Sequence, residues 1–486
     1  MAVLQGNLPT DVRRPGVFNF FDDTSTARGQ IPIARTIGLI GMKHASGTAA
    51  LNVPIEVVNE LFADLLFGIG SELALMCRQA FRTFRFLSSR IRGFAAQVWA
   101  VPIADPGGGA VAATRTFTVT GTATQAGDVI IRIAGREIRA PVKVGDTQNT
   151  TAAAIKAAID QRLIELPGTA TVAANVVTFV YRHLGVNGND LLTSTVQSVA
   201  GVTVAAAVGA TGTGVADIQL ALDAMVGRHF RAIAIANHAA ADVVDLGEHA
   251  DAMWAADVKK YRHMFLASTG TLATATTLAA PANRKEILVI SFEGGRNLPG
   301  EIAASVAAMT QTKERPSQNW DKTELPLFPT DDVLNYSAPE LESALAGGVT
   351  PLEMTDVGGV RVNRLVTTKA THNGVAFENL RDFAVSATSA FYALQTDAAV
   401  SQEMAGRNVT EELIGDIRAR IYGVLKDGES LGDLHNVDAH AAEILVQPHP
   451  SIATRIVTDI PVSVTPNAHQ VDNTFRLHIE APQVAA

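Results

Sequence analysis

The sequence predicts a multidomain protein of mixed α/β and α+β class, in which an α/β core is interrupted by an inserted β-rich domain and followed by a C-terminal α+β domain that carries extended terminal arms. Apolar strand-like runs alternate with helical patterns on both sides of a central segment rich in Thr and Val. Glycine clusters bracket that segment, and both chain ends carry short extended patterns. The length of 486 residues also exceeds what one hydrophobic core commonly serves, so several domains are expected.

Changes of composition define the predicted domain boundaries. The glycine-rich stretches DPGGGAVAATR and GATGTG separate the Thr- and Val-rich block from its surroundings, as linkers between domains do. The predicted segments are an N-terminal extended arm (1–30), a discontinuous α/β domain (31–104 and 215–335), an inserted β-rich outer domain (105–214), a C-terminal α+β domain (336–455) and a C-terminal strand or arm (456–486).

Alternating strands and helices predict one mostly parallel sheet built from both sides of the insert. Before the insert, the strand in IARTIGLIGM is followed by helical spacing that breaks at Gly68–Gly70 and by the strand in AAQVWAVPIAD. After the insert come the helix VADIQLALDAMVG, the strand HFRAIAIAN, the helix DLGEHADAMWA, the strand KEILVISFEG and the helix GEIAASVAAM. The insert itself shows several strands and one helix, TAAAIKAAIDQRLIEL.

The C-terminal region begins with a recognisable helix start. Ser337 is followed by Pro339 and Glu340, the pattern of a capping box with proline in the first turn. A hairpin-like pair and two helices follow, and the second helix, NVTEELIGDIRARIYGVLKDG, is predicted to start at the cap Asn408 and to stop at Gly428. Its apolar stripe is Leu413, Ile414, Ile417, Ile421, Val424 and Leu425.

Charge, cysteine content and hydropathy exclude several classes of protein. A formal charge of −9 gives no basic footprint for nucleic acid. Nucleic-acid binding is therefore not expected. The single cysteine, Cys77, leaves no intrachain disulfide and no thiolate zinc cluster. No apolar run reaches the ~18 residues of a spanning helix, so membrane insertion is not expected either.

No catalytic, cofactor-binding or metal site is predicted. The twelve histidines include neither an H-E-x-x-H nor another helical zinc pattern. The glycine-rich stretches lack the lysine of a phosphate-binding loop, and SFEGG is not a nucleophile elbow. An α/β enzyme with an accessory β-domain remains an alternative, whose mark would be a pocket with converging titratable groups.

The terminal stretch NTFRLHIEA raises a question about its pairing partner. Phe475, Leu477 and Ile479 alternate with polar residues, the period of a half-buried strand. Such a strand either folds back on its own domain or adds to the sheet of another chain. The residues alone leave both arrangements open.

Four stretches, in this order, resemble the contractile tail sheath proteins of Mu-like bacteriophages. They are DVRRPGVFNFFDDTS, RTIGLIGMKHASGTAALNVPIEV, GEIAASVAAMTQTKERPSQNWDKTELPLFPT and ALAGGVTPLEMTDVGGVRVNRLVTTKATHNG. The last leads from G-V-T-P-L through a hairpin to a V-T-T strand and is the most characteristic. The resemblance covers nearly the whole chain outside the insert. The shortest family members lack such an insert.

The resemblance implies a structural subunit of the virion, not an enzyme, with no cofactor. Such subunits assemble in the bacterial cytoplasm as stacked hexameric rings around a tail tube, with baseplate and tail terminator proteins as further partners. Contraction drives the tube through the host envelope without nucleotide hydrolysis. Terminal arms are expected to add strands to the sheets of neighbouring subunits. The expected arm residues are Val17, Phe18, Phe20, Ile460, Val462, Val464, Phe475, Leu477 and Ile479.

Two functional alternatives stay open beside the phage tail. One is the sheath of a headless contractile injection device similar to an R-type bacteriocin, and the less favoured one is the α/β enzyme above. The purpose of the insert is not implied by the resemblance. Because glycine linkers flank it, excision of Pro106–Thr213 is expected to spare assembly.

Overall fold

The computed structural model describes residues 35–88, 96–313, 315–330, 336–376, 380–452 and 454–466. The chain divides into two units, Met1–Ile33 and Ala34–Ala486, and all described residues belong to the second. Its elements confirm the mixed α/β class that the sequence predicts.

The first α/β segment follows the predicted pattern. Its elements are β1 (Thr36–Met42), β2 (Ile55–Val57), α1 (Glu60–Phe67), α2 (Glu72–Ser88) and β3 (Gln97–Ile103). Every residue of β1 is buried, as its apolar run TIGLIGM predicts. The helical stretch breaks where expected, because Gly68 and Gly70 adopt φ values of 88° and 67° that favour glycine.

The inserted segment forms two antiparallel sheets, and their hydrophobic cluster also includes Leu75 and Leu298 of the host segments. Its elements are β4 (Thr114–Gly121), β5 (Gly127–Ile133), β6 (Arg136–Val142), α3 (Gln148–Asp160), β7 (Gly168–Ala173), β8 (Val176–Tyr181), a 3₁₀ helix (Val186–Asp190), β9 (Thr193–Gln197) and β10 (Val202–Val208). The sheet orders are β10-β4-β8-β7 and β6-β5-β9. Phe117, Ile131 and Phe179 lie in the cluster between them and are fully buried. The predicted β-rich composition with a single α-helix is therefore confirmed for this segment.

The second α/β segment completes a nine-stranded sheet. Its elements are α4 (Gln219–Met225), β11 (Ala232–Ile235), α5 (Ala240–Trp254), β12 (His263–Ser268), α6 (Leu272–Ala279), β13 (Ile287–Ser291), α7 (Pro299–Thr310), β14 (Glu324–Leu325), α8 (Ala338–Ala346), β15 (Val349–Met354) and β16 (Val360–Val362). The strand order is β14-β16-β15-β13-β12-β11-β1-β3-β2, and the run from β15 to β3 is parallel throughout. Strands from both sides of the insert thus share one mostly parallel sheet, as predicted.

The sheet crosses the predicted boundary between residues 335 and 336. Val349 and Thr350 of β15 pair with Val289 and Ile290 of β13 in parallel register. Hydrogen bonding therefore joins the predicted C-terminal domain to the core sheet, so this boundary does not follow a sheet edge. The division of the chain into domains remains a prediction. At the start of α8 the predicted capping box is present, since the N–H and the hydroxyl of Ser337 each donate to Glu340 over 2.8 Å.

The C-terminal helices correct the predicted ends of one helix. The remaining elements are β17 (Thr371–His372), β18 (Val375–Ala376), α9 (Phe383–Met404), α10 (Glu411–Ser430), α11 (Val437–His440), β19 (Leu445–Pro448) and β20 (Ile456–Asp459). The hydroxyl of Thr410, rather than Asn408, caps α10 by accepting the Leu413 N–H over 3.2 Å. Gly428 lies inside α10 and is buried, so it does not stop the helix.

Gly428 serves close packing between α9 and α10. A Cβ atom at this position would lie 2.7 Å from ring atoms of Tyr392, closer than side chains tolerate. The Tyr392 hydroxyl in turn donates to Asp433 over 2.8 Å, which fixes the ring in place. A glycine near a helix end was predicted to be a stop because the sequence does not show this tertiary contact.

Replacing Gly428 with Ala should destabilise the protein, whereas the same change at Gly423 should stabilise it. Alanine gains ~0.5–1 kcal/mol over glycine in a helix interior, but at Gly428 overpacking against Tyr392 should cost ~1–3 kcal/mol. Gly423 lies in the same helix and is the matched control, because a Cβ atom there would meet no other atom within 4 Å. Thermal melting midpoints of both variants check this, and a higher midpoint for Gly428→Ala would contradict the packing role.

Candidate functional site

Polar side chains converge at the carboxyl edge of the parallel strands, the edge at which open α/β sheets bind ligands. Asp105 follows β3, Asn237 and His238 follow β11, and Thr269 follows β12. The 3₁₀ helix Val186–Asp190 of the insert reaches the same edge and supplies further polar groups. Host and insert residues therefore form one buried polar cluster, which is called the polar junction below.

Glu72 is the centre of the polar junction. It is the first residue of α2 and only 3% exposed. Its carboxylate accepts hydrogen bonds from the Tyr181 hydroxyl (3.2 Å), the Asn187 side-chain amide (3.0 Å) and the Met42 N–H (3.3 Å). The N-terminal end of a helix also favours a negative charge. Burial and then the Glu72 charge raise the pKa of Tyr181 well above its usual value, so its hydroxyl remains a donor.

His183 links the start of α2 to the end of β3. Its ring is 1% exposed, and Nε2 accepts the backbone N–H of Glu72 over 3.2 Å. Nδ1 therefore carries the proton and donates to Asp105 over 2.6 Å. This arrangement fixes one tautomer and leaves neither ring nitrogen available to a metal or a substrate.

Asp190 and His238 form an ion pair across the boundary between insert and host. Asp190 Oδ2 lies 2.9 Å from His238 Nε2, and the Thr269 hydroxyl donates to Oδ1 over 3.0 Å. Burial alone would lower the pKa of His238, but the Asp190 hydrogen bond and charge outweigh it and raise that pKa to about 9. Burial likewise opposes ionisation of Asp190, yet His238 and Thr269 hold its pKa below the usual value.

Buried amides extend the polar junction to α5. The Asn187 amide donates to Asn237 Oδ1 over 3.2 Å, and the Asn237 amide donates to the Ala216 carbonyl over 2.7 Å. Asp242 accepts the Ala239 N–H over 2.8 Å and so caps α5. Each polar group thus has a partner, as buried polar groups require.

Two buried arginines of the insert hold its 3₁₀ helix and its contact with the host. Arg115, 4% exposed, donates to the carbonyls of Leu191 (2.8 Å) and Asn189 (2.6 Å) and so holds the 3₁₀ helix in place. Arg136 forms a buried ion pair with Glu301 near the start of α7, with Nη1 3.2 Å from Oε2. The Leu298 N–H donates to the same Glu301 oxygen over 3.1 Å.

The polar junction is suited to structural support rather than to catalysis. Its carboxylates and imidazoles are hydrogen-bonded to one another or to neighbouring polar groups. Among the described residues, no group of three or more His, Cys, Asp or Glu side chains is arranged to hold a metal ion. No helix in the described part of the chain is long and apolar enough to cross a membrane.

Sequence reasoning missed the polar junction, because it found no convergence of titratable groups. The structure brings together Glu72, Asp105, His183, Asp190 and His238 from four separate segments. One pattern could have found part of the set: Asp105 and His238 come just after buried strands of a predicted parallel sheet. Nothing in the local sequence marks Glu72 or His183.

The predicted arm residues fall into two groups. Six of them lie outside the described residues, namely Val17, Phe18, Phe20, Phe475, Leu477 and Ile479. Ile460, Val462 and Val464 are described and follow β20, which pairs with β19 in an antiparallel hairpin. In the described part of the chain, these three residues lie outside the β-strands.

Within this chain, the residues around Val464 pair with the loop after α10. Val464 forms an antiparallel bridge with Leu434. The His435 N–H donates to the Ser463 carbonyl over 3.0 Å, and the Thr465 N–H donates to the Asp433 carbonyl over 3.0 Å. Pairing of the arm residues with a neighbouring subunit remains a prediction.

Ile460 and Val462 line a groove of about 310 Å³ against α9. Val462 is 39% exposed. The other side of this groove, called the α9 groove below, includes Tyr261, Tyr392 and Val400. It offers apolar side chains together with the Lys259–Asp397 ion pair beside a short hairpin, so it is the candidate assembly surface of this region.

The comparisons with known proteins support the resemblance read from the sequence. No protein-family model matches the chain. A stretch of 193 residues, 39% of this chain, is 33% identical to the Mu-like prophage FluMu tail sheath protein of Haemophilus influenzae. This match spans 37% of that relative's length. The predicted resemblance to Mu-like tail sheath proteins is thereby confirmed.

Solved structures of sheath proteins share the fold over almost the whole chain. The sheath tail protein of Listeria innocua matches with a TM-score of 0.52 and 15% identity, over 90% of this chain and 94% of that one. A chain of the PVC sheath complex, from an extracellular contractile injection system in the contracted state, matches with a TM-score of 0.50 and 10% identity, over 96% of this chain and 98% of that one. At these identities the comparisons establish the fold alone.

The Asp190–His238 pair should stabilise the protein at neutral pH and lose this effect at alkaline pH. The folded-state pKa of His238, about 9, exceeds the unfolded value of ~6.5, so its contribution is complete below about pH 6.5 and is lost as pH rises through about 9. The melting midpoint of His238→Gln should therefore lie below that of the unsubstituted protein at pH 6.5, and the gap should shrink by pH 10. His440→Gln, at a surface pair with Glu443, is the control. A gap that stays constant to pH 10 would argue against a charged pair.

The buried contacts reverse the expectation that the insert can be removed. Excision of Pro106–Thr213 would remove the insert's partners of Glu72, His238 and Glu301, and breaking one buried charged pair costs ~3–5 kcal/mol. The excised protein should therefore be insoluble or melt far below the full chain. Adding Glu72→Gln and Glu301→Gln to the excision should restore part of the loss. If the excision alone left the melting midpoint of the full chain unchanged, the host would not depend on the insert for its stability.

Proposed function

We propose that this chain is the tail sheath subunit of a contractile phage tail. The observation that carries the proposal is the 33% identity over 193 residues to a Mu-like prophage tail sheath protein. The sheath fold over at least 90% of the chain supports it. The role is structural, and no cofactor or nucleotide takes part.

The subunit assembles as hexameric rings that stack in a helical lattice around a tail tube. Its partners are other copies of this chain, the tail tube protein, and the baseplate and tail terminator proteins. It forms part of the virion and is assembled in the bacterial cytoplasm. Contraction of the lattice drives the tube through the host envelope. The solved sheath complex of similar fold in a contracted state supports a lattice of this kind.

The polar junction supports a rigid body within each subunit. Because charged and amide groups of α2, the insert and the ends of β3, β11 and β12 satisfy one another, displacement of the insert would expose several buried groups at once. Rigid bodies joined by flexible connections are what hinge-type rearrangements require. In a two-state lattice, couplings of ~1–3 kcal/mol per site add up over many subunits and can supply the work of contraction.

The terminal arms connect neighbouring subunits by strand addition. We infer that the nine arm residues, Val17, Phe18, Phe20, Ile460, Val462, Val464, Phe475, Leu477 and Ile479, enter sheets shared between copies. The β19–β20 hairpin has four residues in each strand, and of β19 only Val446 is buried. A two-stranded hairpin of this size is marginal alone and has edges open to further strands. Added strands would gain main-chain hydrogen bonds there.

A headless contractile injection device is the second candidate. It is favoured by the similar fold of a sheath from an extracellular contractile injection system. The subunit would assemble and contract in the same way in either device. Capsid and terminase genes beside the gene for this chain would identify the phage tail.

Purified protein expressed alone should polymerise into striated hollow tubes. We expect this because free sheath subunits carry both the arms and the surfaces that receive them. Negative-stain electron microscopy checks the result. Only monomers or small closed oligomers over a wide range of concentration and salt would overturn the sheath proposal.

Removal of residues 467–486 should leave folded subunits that do not form tubes. This truncation spares the β19–β20 hairpin and the bridge between Val464 and Leu434, both of which would be lost if the whole predicted arm, 456–486, were removed. Point variants sharpen the test. Leu477→Asp should abolish tubes, since a charge would enter the apolar face of the predicted strand, whereas Arg476→Asp on the opposite face should have little effect. Tubes of normal length from the truncated chain would refute strand addition by this arm.

A further inference from the structure

A small cavity lies at the amino edge of the parallel sheet, opposite the polar junction. Arg35 immediately precedes β1, Arg231 immediately precedes β11, and His263 is the first residue of β12. All three line the cavity, whose volume is about 40 Å³, enough for one small group. It is called the arginine cavity below.

The arginine cavity is lined by positive charge. Arg35, Arg231 and Lys313 supply three cations, and none of the described residues that line it is acidic. His263 adds no charge, because burial and then the charges of Lys285 and Arg231 lower its pKa to about 3. Lys313 donates to the Asn319 carbonyl and lies 4.4 Å from the centre of the Trp320 ring, with Asp321 acting on it from outside the lining.

Arg231 is the group whose charge is not balanced. Its guanidinium lies 5.3 Å from the centre of the Phe391 ring and makes no hydrogen bond or ion pair with any residue in the described part of the chain. Burial and then the charge of Arg35 lower its pKa to about 10. The Arg231 side chain is partly buried, and a cation held largely away from water without an anion is costly, so the arrangement favours a negative partner.

Arg262 shows how the same fold satisfies a buried guanidinium when no outside ligand is needed. It is fully buried, and it donates to the carbonyls of Arg228 (2.8 Å) and Met225 (3.4 Å) and contacts His249 Nε2 (3.1 Å). Carbonyl partners of this kind are missing around Arg231 among the described residues. The difference marks Arg231 as a binding group rather than a structural one.

We propose that the arginine cavity binds a carboxylate group of a second copy of this chain. A carboxylate matches the planar fork of a guanidinium and fits a cavity with room for one small group. The inference rests on the proposed self-assembly and adds a specific contact to it.

Two observations favour a second copy as the source of the carboxylate. Tyr261 lines both the arginine cavity and the α9 groove, so the cavity lies next to the candidate assembly surface. The chain also has 48 acidic residues against 39 Lys and Arg, so each copy offers an excess of carboxylates to its neighbours. Charge complementarity of this kind fixes register between copies.

The first test compares assembly and monomer stability of Arg231→Gln, Arg231→Lys and the surface control Arg139→Gln. Arg231→Gln should raise the protein concentration needed for tube formation by at least about tenfold, the loss of a charge-assisted hydrogen bond. Arg231→Lys should lie between this variant and the unsubstituted protein. The melting midpoint of the monomer should stay the same or rise, because a partly buried cation without an anionic partner is removed. Arg139→Gln should change neither quantity.

The second test identifies the partner by cross-linking. In assembled Arg231→Lys, a carbodiimide should join the introduced amine to the carboxylate that occupies the cavity. If the assembly mixes ¹⁴N and ¹⁵N copies, mass spectrometry should find hybrid peptides that contain both isotopes. Unsubstituted tubes are the control, since Lys313 also lines the cavity.

Three outcomes would overturn the inference. A lower monomer midpoint for Arg231→Gln with unchanged assembly would place the carboxylate in the same chain. Acetate that raises the midpoint of the unsubstituted monomer but not of Arg231→Gln, again with unchanged assembly, would indicate a free anion. Cross-links within one isotope only would exclude a second copy. If the unsubstituted protein forms no tubes at all, the proposed function itself fails, which is distinguishable from tubes that ignore Arg231.

Discussion

The buried carboxylate of Glu72 is the constraint on which the arrangement of insert and host depends. A carboxylate that is 3% exposed must be paired or hydrogen-bonded, and two of its three donors, Tyr181 and Asn187, come from the insert. The insert therefore cannot turn away from α2 without leaving a buried charge unsatisfied. The Asp190–His238 and Arg136–Glu301 pairs repeat the constraint at two further points. The glycine linkers at its ends therefore do not let the insert move freely, because contacts of the inserted residues with the host fix its position.

The two edges of the parallel sheet differ in whether their charges are balanced. At the carboxyl edge, where an enzyme of this topology would bind its substrate, inserted residues fill the space and every carboxylate described above has a donor. At the amino edge, Arg231 has no such partner among the described residues, although Arg262, directly before the neighbouring strand β12, is satisfied by main-chain carbonyls. Charges that a chain balances internally hold its own fold together, whereas a charge left unbalanced beside an exposed groove favours association with something outside.

The sequence predicted what short-range pattern determines and missed what depends on tertiary contact. The buried strands β1 and β13, the break at Gly68 and Gly70 and the capping box at Ser337 each follow from local residues. Gly428 was misread because only the neighbouring Tyr392 shows why glycine is needed there. Of the arm residues, Val464 lies in a bridge to its own chain, and pairing of the others with a neighbouring copy remains a prediction. The polar junction joins residues more than a hundred positions apart, for example Glu72 with His183, so no sequence window contains it.

A subunit that changes its packing without unfolding needs strong contacts inside and weak ones at its margins. Here the described core has a nine-stranded sheet and buried ion pairs, whereas the described part of the chain ends in two strands of four residues each, with only Val446 of β19 buried. A hairpin of that size gains stability from any strand added to its edge, but each added strand contributes only a few hydrogen bonds. In the proposed lattice, copies joined in this way would shift relative to one another while their cores stay intact. Strong contacts within the core and weaker ones at its margin therefore suit the proposed lattice, in which rigid bodies rearrange about their interfaces.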